Sequence, residues 1–503
     1  MLATTYTVAF SGVDVLKIST EVQLTNGLPS FSIVGLADKA IAESRERVRA
    51  ALYSLGLTLP AQHITVNLAP ADVVKEGTHY DLPIAMALMG AMGVIEPACI
   101  SSFIMMGELG LDGSIRPVSG VLPAGITAHN EQMGLICSSF QSTEASWAEA
   151  KPLLTPPNLL HLINYFKNHI PIPSVSTQDS SFEETNFVDL KEIKGQEIAK
   201  RALEIAAVGG HNLLMIGPPG SGKSMLASRL PSILPPMSKN EILEVSQIHS
   251  IAGKLKEGKL ITSRPYRSPH HSATMPSLVG GGSMAKPGEI SLAHRGILFL
   301  DELPEFNRTT LESLRQPMET GYISVSRANA HITYPARFQL IAAMNPCRCG
   351  YLGTPGHECS RSPKCGLDYQ AKLSGPLLDR IDLQIEVPAV HPWELAHVPS
   401  GEESAVVRQR VQKARLFALH RFEGTPYLNN AQADGSFLEK IAHMDTDSLT
   451  LLQKAAEQLR LSARGYHRII RIARTIADMN ESEQVLKIHI TEALSFRNPL
   501  QRN

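Results

Sequence analysis

Eight consecutive residues, Gly217-Pro218-Pro219-Gly220-Ser221-Gly222-Lys223-Ser224, carry the clearest chemistry in this chain. They follow the apolar strand pattern Leu213 to Ile216 and open a helical segment, filling every fixed position of a G-x-x-x-x-G-K-[ST] loop in its required context. Glycines let backbone N–H groups turn inward around phosphate oxygens, the helix start adds its positive end, Lys223 neutralises outer phosphates and Ser224 can ligate Mg²⁺. A ligand-free glycine-rich turn is the plainer alternative, and the filled positions weigh against it. A second apolar run, Ile297 to Leu300, ends in Asp301-Glu302, 78 positions after Lys223. It is expected beside the phosphate-loop strand, delivering both acids at its carboxyl end, where ligands of an open α/β sheet bind. Asp301 would hold Mg²⁺ directly or through water, and Glu302 would orient and deprotonate an attacking water. Two acids after an apolar strand usually mean a solvated turn; beside the loop they read as a hydrolytic site.

A third run, Phe338 to Met344, delivers Asn345, whose amide would hold the water or the γ-phosphate. Arg380, within Leu377-Leu378-Asp379-Arg380-Ile381-Asp382, has two readings. It stabilises charge on a transferred phosphoryl group, often from a neighbouring subunit, or it pairs at the surface with Asp379 or Asp382. Arg464, Arg468 and Arg471 recur at i, i+4 and i+7 and share one helix face, either a solvated stripe or a positive charge brought to a nucleotide.

Cys347, Cys349, Cys359 and Cys365 crowd a loop rich in Gly, Pro and Arg. Four thiolates on a short loop suit tetrahedral structural Zn²⁺, with His357 able to replace one; unbound cytosolic thiols are the alternative. Cys99 and Cys137 read as small apolar residues.

The elements that must position these groups come from 503 residues, a prior of about three domains. With 43% hydrophobic and 19% charged residues, full-sized cores are expected and wholesale disorder is excluded. A net charge of -1 leaves no global basic field, so a nucleic-acid partner would need a local basic surface. The apolar stretch Leu82 to Ile95 is 14 residues long and contains Pro83, short of the ~18–20 of a membrane span. With no basic start at the amino terminus and few cysteines, a cytoplasmic protein is expected.

Residues 1–170 read as α+β, with strands over Tyr6 to Val15 and His63 to Leu68, an amphipathic helix over Ala37 to Leu55 stopped at Gly56, and a helix capped by Asp81. Proline-rich sequence and a Ser-Thr-Gln-Asp-Ser-Ser run place a linker at 171–188. The core, 189–392, alternates strands with helices as a covered parallel sheet does, and 393–503 reads as helical, clearest at Ala405 to Phe422, Asp447 to Arg460 and Gly465 to Met479.

Gly195-Gln196, the phosphate loop, Arg264-Pro265-Tyr266-Arg267-Ser268-Pro269-His270-His271, Leu278 to Gly282, Pro287 to His294 and Gly296 to Glu302 together resemble the magnesium-chelatase-like branch of the AAA+ ATPases. The whole chain is similar to its ComM (YifB) family. The resemblance implies a multidomain α/β protein: an AAA+ P-loop NTPase core with parallel sheet and helical lid, using ATP and Mg²⁺. It implies a homo-oligomeric, hexameric ring with sites between subunits, Asn345 as sensor 1, Arg380 as arginine finger and Arg464, or Arg468 one turn away, as sensor 2. Segments 261–295 and 324–333 match the branch's pore inserts. ComM-like proteins are helicases that migrate DNA branches in natural transformation, which implies branched or single-stranded DNA in the pore and recombination proteins as partners. Arg267, His270, His271, Lys286, Arg327 and Asn329 would contact DNA phosphates, or else serve the nucleotide site or a subunit contact.

The segment Gly107 to Leu122 resembles the proteolytic domain of Lon, a ribosomal-protein-S5-like fold. Its serine position holds His79 and its lysine position Leu122, and leucine cannot activate a nucleophile, so a non-proteolytic module is expected. The rivals to a DNA motor are a chelatase-type remodeller of a protein partner and an ATP-dependent protease.

Overall fold

In a computed structural model the described residues are 2–36, 38–172, 187–282, 285–327, 330–352, 359–389 and 399–497. Residues 173–186 of the expected linker lie outside them. Strands β1 (Leu2–Ser11) and β2 (Asp14–Thr25) pair antiparallel from Leu2↔Gln23 to Ser11↔Asp14. The single strand expected over Tyr6 to Val15 is therefore a hairpin. Gly12, at φ +69°, turns the chain, and a Cβ there would meet the Thr333 carbonyl oxygen at 2.4 Å. The alternating apolar residues Tyr6, Val8 and Phe10 change phase at Ser11-Gly12 to Val13 and Val15, the trace the turn leaves in the sequence.

β3 (Ser30–Val34), β4 (His63–Ala69), β5 (Phe103–Met105), the hairpin β6 (Glu108–Leu109) with β7 (Ile115–Arg116), β8 (Gly134–Ile136) and β9 (Leu153–Leu154) follow. The main sheet runs β3-β4-β2-β1-β5-β8-β9, antiparallel around β2 and parallel from β1 to β9. Helix Lys39–Ser54 is capped by Asp38, which accepts from Ile41 N–H, and Gly56 at φ +75° follows its end, close to expectation. Helix Asp81–Ala91 is buried along its whole length, and Asp81 does not cap it. Its fully buried carboxylate instead takes the Arg47 guanidinium at 2.6 and 3.0 Å and Leu109 N–H at 3.1 Å. A buried charge is held by the strongest donors within reach, and a guanidinium outbids an exposed cap.

The second sheet contains β10 (Leu213–Ile216), β11 (Tyr266–Arg267), β14 (Ile297–Leu300), β17 (Gln339–Met344) and β18 (Leu383–Glu386), all parallel, in the order β11-β14-β17-β10-β18. β10, β14 and β17 are buried at every residue, which is why they read as apolar runs, broken only by Gln339 at the start of β17. One expectation fails here: β17, ending before Asn345, lies between the phosphate-loop strand and the acid-bearing strand. Apolar runs announce strands but carry nothing about lateral order. Between them, β12 (Gly280–Gly281) pairs with β13 (Lys286–Pro287), and β15 (Tyr322–Arg327) with β16 (Ala330–Pro335).

After β18 the described residues form helices, including Ser404–Leu419, Thr446–Gln458 and Ala463–Met479, as expected. Ile469, Ile470, Ile472 and Ile476 of the last share one apolar core with Leu213, Met215 and Phe299. Each buried isoleucine contributes roughly 1.5–3 kcal/mol, so the carboxyl-terminal helices hold firmly to the sheet. The amino-terminal region also docks on the core. Ser250 Oγ donates to the buried Glu144 carboxylate at 2.6 Å, Gly120 N–H donates to Ser250 O at 3.1 Å, and Val13 packs against the apolar cluster that Ile332 of β16 also borders. No helix among the described residues is long and apolar enough to cross a membrane.

Candidate nucleotide site and arginine face

β10 ends where its register with β18 pairs Ile216 with Glu386, and there the loop turns back on itself. A Cβ on Gly217 would stand 2.1 Å from Val387 O, so no side chain fits at the loop's first position. Gly222, at φ +90°, precedes helix Lys223–Ile233. The Lys223 ammonium, largely buried, donates to Gly217 O at 2.8 Å, Pro218 O at 2.9 Å and Asn345 Oδ1 at 3.3 Å. Burial lowers its pKa, while Asp301 and Glu302 pull the other way and favour the charged form. Ser221 is buried, and Gln196 bridges from the preceding helix to Ser221 O at 3.3 Å and Pro388 O at 2.8 Å. Lys223 and Asn345 thus converge from adjacent strands.

Ser224 Oγ donates to Asp301 Oδ2 at 2.6 Å, and Asp301 Oδ1 accepts from Glu302 N–H at 2.9 Å. A hydroxyl and a carboxylate side by side are hard oxygen donors that fit Mg²⁺. Glu302 adopts φ +50° and ψ +47°, a left-handed conformation costing about 1–3 kcal/mol for a residue with a Cβ, and such strain concentrates at functional sites. Its Oε2 lies 3.4 Å from Nδ1 of His271.

The arginines gather elsewhere. In the register of β10 with β18, Leu213 pairs with Leu383, so Asp379, Arg380 and Asp382 lie at the amino end of the sheet, a strand length of roughly 10–13 Å from the phosphate loop. Arg380 forms an ion pair with Glu319 and donates to Pro376 O at 2.6 Å, so its partner is Glu319 rather than Asp379 or Asp382. Glu319 is 61 positions away, beyond any local pattern. Arg464 and Arg468 both reach Asp379, at 3.9 and 3.6 Å, and Arg471 reaches Asp382 at 4.0 Å and Asp434 at 3.0 Å. The shared helix face is real, and it borders a cavity of about 860 Å³ that Arg380 and Arg464 both line.

Sequence reasoning missed the buried link behind this face. His211, fully buried, holds Asp382 Oδ2 through Nδ1 and Thr475 Oγ1 through Nε2, both at 2.8 Å. It ties the sheet to helix Ala463–Met479, and partners 171 and 264 positions apart leave no sequence signal.

Residues 189–395 match the family described as "Magnesium chelatase, subunit ChlI", residues 20–140 "Subunit ChlI of Mg-chelatase" and residues 401–497 "Magnesium chelatase, subunit ChlI C-terminal". The chain is 43% identical to "Competence protein ComM" of Haemophilus influenzae, covering 99% of this chain and 97% of that one. It is 42% identical to "Uncharacterized protein YifB" of Salmonella typhimurium over 99% and 97% of the two chains. The chain belongs to the ComM/YifB family. A more distant relative, "Magnesium-chelatase 67 kDa subunit" of Heliobacterium mobile, is 26% identical over 46% of this chain and 38% of that one. The ComM/YifB family thus lies within the magnesium-chelatase-like AAA+ ATPases.

In this ComM/YifB chain the four cysteines of the loop converge, with their Sγ atoms within 4.8 Å of one another, an arrangement able to hold a metal ion. Residues 353–358, including His357, lie outside the described residues. The cluster adjoins the phosphate loop: a Cβ on Gly350 would lie 2.5 Å from Pro219 Cδ. Cys137 is buried as expected, but Cys99 is exposed within the short helix Pro97–Ile100.

The expected DNA contacts divide. Arg267 is engaged by Glu289 at 2.5 and 2.7 Å, the exposed His270 bonds Ser272 Oγ at 2.7 Å, and His271 faces Glu302. Lys286 is exposed, while Asn329 and the side chain of Arg327 lie outside the described residues.

Proposed function

We propose that this chain is an ATP-driven, ring-shaped DNA motor, a ComM-like helicase that promotes branch migration during natural transformation and recombination. The contact of Ser224 with Asp301, with Glu302 next in the chain, carries the reading. It brings a metal-binding hydroxyl, a metal-binding carboxylate and a candidate base to the mouth of the phosphate loop. That a relative covering nearly the whole chain is named a competence protein supports DNA as the substrate.

Gly217 to Gly222 would cradle the phosphates and Lys223 would neutralise them, with Ser224 and Asp301 holding Mg²⁺. The metal would supply charge neutralisation between the outer phosphates. Glu302 would take the proton of the attacking water while Asn345 fixes its position. Arg380 and Arg464, remote from their own loop, would reach the site of a neighbouring copy, which makes a closed homo-oligomer, in our reading a hexamer, the working unit. The four cysteines would bind one structural Zn²⁺ and stiffen the loop against Pro219. Pore segments 261–295 and 324–333 would follow DNA in the cytoplasm.

We assign 1–170 to an S5-like, Lon-like but non-proteolytic domain, 189–392 to the ATPase and 393–503 to the lid. His79 is buried with Nε2 on Val8 O at 2.8 Å, and Leu122 is fully buried, an arrangement that offers no nucleophile and base.

ATP-dependent displacement of strands from forked and four-way DNA, with hydrolysis followed in parallel, tests the reading. Displacement with DNA-stimulated turnover is the expected outcome. Turnover indifferent to every DNA form would favour a remodeller of a protein partner, which the likeness to a magnesium-chelatase subunit supports. Casein digestion lost on changing an amino-terminal nucleophile would favour the protease.

A further inference from the structure

His271 lies in the first insert, four residues beyond β11, and its Nδ1 is 3.4 Å from the Glu302 carboxylate. Among the described residues it is the side chain paired with that group. A carboxylate is acceptor-only, and an imidazole at this ion-pair distance biases its orientation. The backbone of Glu302 is fixed from the other side by Asp301 and is strained at φ +50°. Asp301 thus holds the Glu302 backbone, while the half-exposed carboxylate faces this histidine.

The histidine is not on a free loop. Its ring lies 4.0 Å from that of His270, which is bonded to Ser272. Farther along the same insert, a Cβ on Gly280 would lie 3.4 Å from Val325 Cγ2 on β15, and the Tyr334 hydroxyl on β16 donates to Ala285 O at 2.9 Å. The hairpin β15–β16 and the insert carrying His271 are thus packed together.

We propose that His271 is a positioning residue: it holds the Glu302 carboxylate for water activation and passes the position of the two inserts to it. The inference rests on the ATPase reading above and deepens it. No proton passes to His271 in the step; the water proton goes to Glu302.

The test compares full-length wild type with His271→Ala and His271→Gln in ATP hydrolysis, with and without forked DNA. His271→Ala is expected to lower kcat at least roughly tenfold with the KM for ATP within about twofold of wild type. The ratio of DNA-stimulated to basal turnover should collapse toward one. Glutamine, whose amide can donate to the same carboxylate, should recover kcat to within about threefold. An unchanged kcat in the alanine variant, a raised KM with normal kcat, or glutamine no better than alanine would overturn the proposal. Wild-type protein without turnover would instead overturn the ATPase reading itself.

Discussion

The hydroxyl of Ser224 donates to the carboxylate of Asp301 at 2.6 Å, joining the first turn after the phosphate loop to the end of a strand 77 residues later. Between the two strands lies β17, whose Asn345 receives the Lys223 ammonium. Three neighbouring strand ends therefore bring Lys223, Asp301 and Asn345 together, where an open parallel sheet can bind a ligand.

Glu302→Gln should leave nucleotide binding nearly intact while turnover falls at least ~100-fold, because the amide keeps the shape but cannot accept the water's proton. Equilibrium binding of a fluorescent ATP analogue beside steady-state hydrolysis checks this. Turnover near wild type would mean that another group is the base.

Arg380 lies at the opposite end of β10 from the phosphate loop, and in the ring proposed above it serves a neighbour's site. Lys223→Ala and Arg380→Ala should each reduce turnover at least ~100-fold when alone. Mixed in equal amounts they should regain measurable activity, since some interfaces then join an intact loop to an intact arginine. A mixture as inactive as its components would place Arg380 in another role.

Metal analysis of protein purified without added zinc should find about one zinc per chain, and Cys365→Ser should lower that content. Because Gly350 abuts Pro219, removal of the metal by a chelator should also weaken ATP-analogue binding. Zinc-free protein with full affinity would separate the cluster from the loop.

Burial pushes the pKa of His79 down to about 4, with the bond to Val8 O opposing, so the folded chain keeps this imidazole neutral. The unfolded chain protonates it near 6.5, its ordinary value, and therefore binds more protons between those two limits. The stability from neutral His79 is complete above pH 6.5 and is lost as pH falls toward 4, by about 3 kcal/mol in the limit. Thermal midpoints should drop between pH about 7.5 and about 5, and His79→Gln, which can still donate to Val8 O, should flatten that slope. An unaltered slope would assign the acid sensitivity to other groups.

The amino-acid order alone determined the phosphate loop, the two acids, Asn345 and the cysteine cluster, because each depends on residues close in the chain or on a strand pattern that ends in polar groups. It also determined the helical end of the chain, where apolar residues recur with the period of a helix. Tertiary structure alone decided that β17 divides the two chemical strands, that Glu319 holds Arg380, that His211 links Asp382 to Thr475, and that His271 stands beside Glu302. These are contacts between residues tens to hundreds of positions apart, set by which strand lies beside which and by the handedness of the connections. Local propensity and periodicity carry no term for either, so only the packed chain brings those partners together.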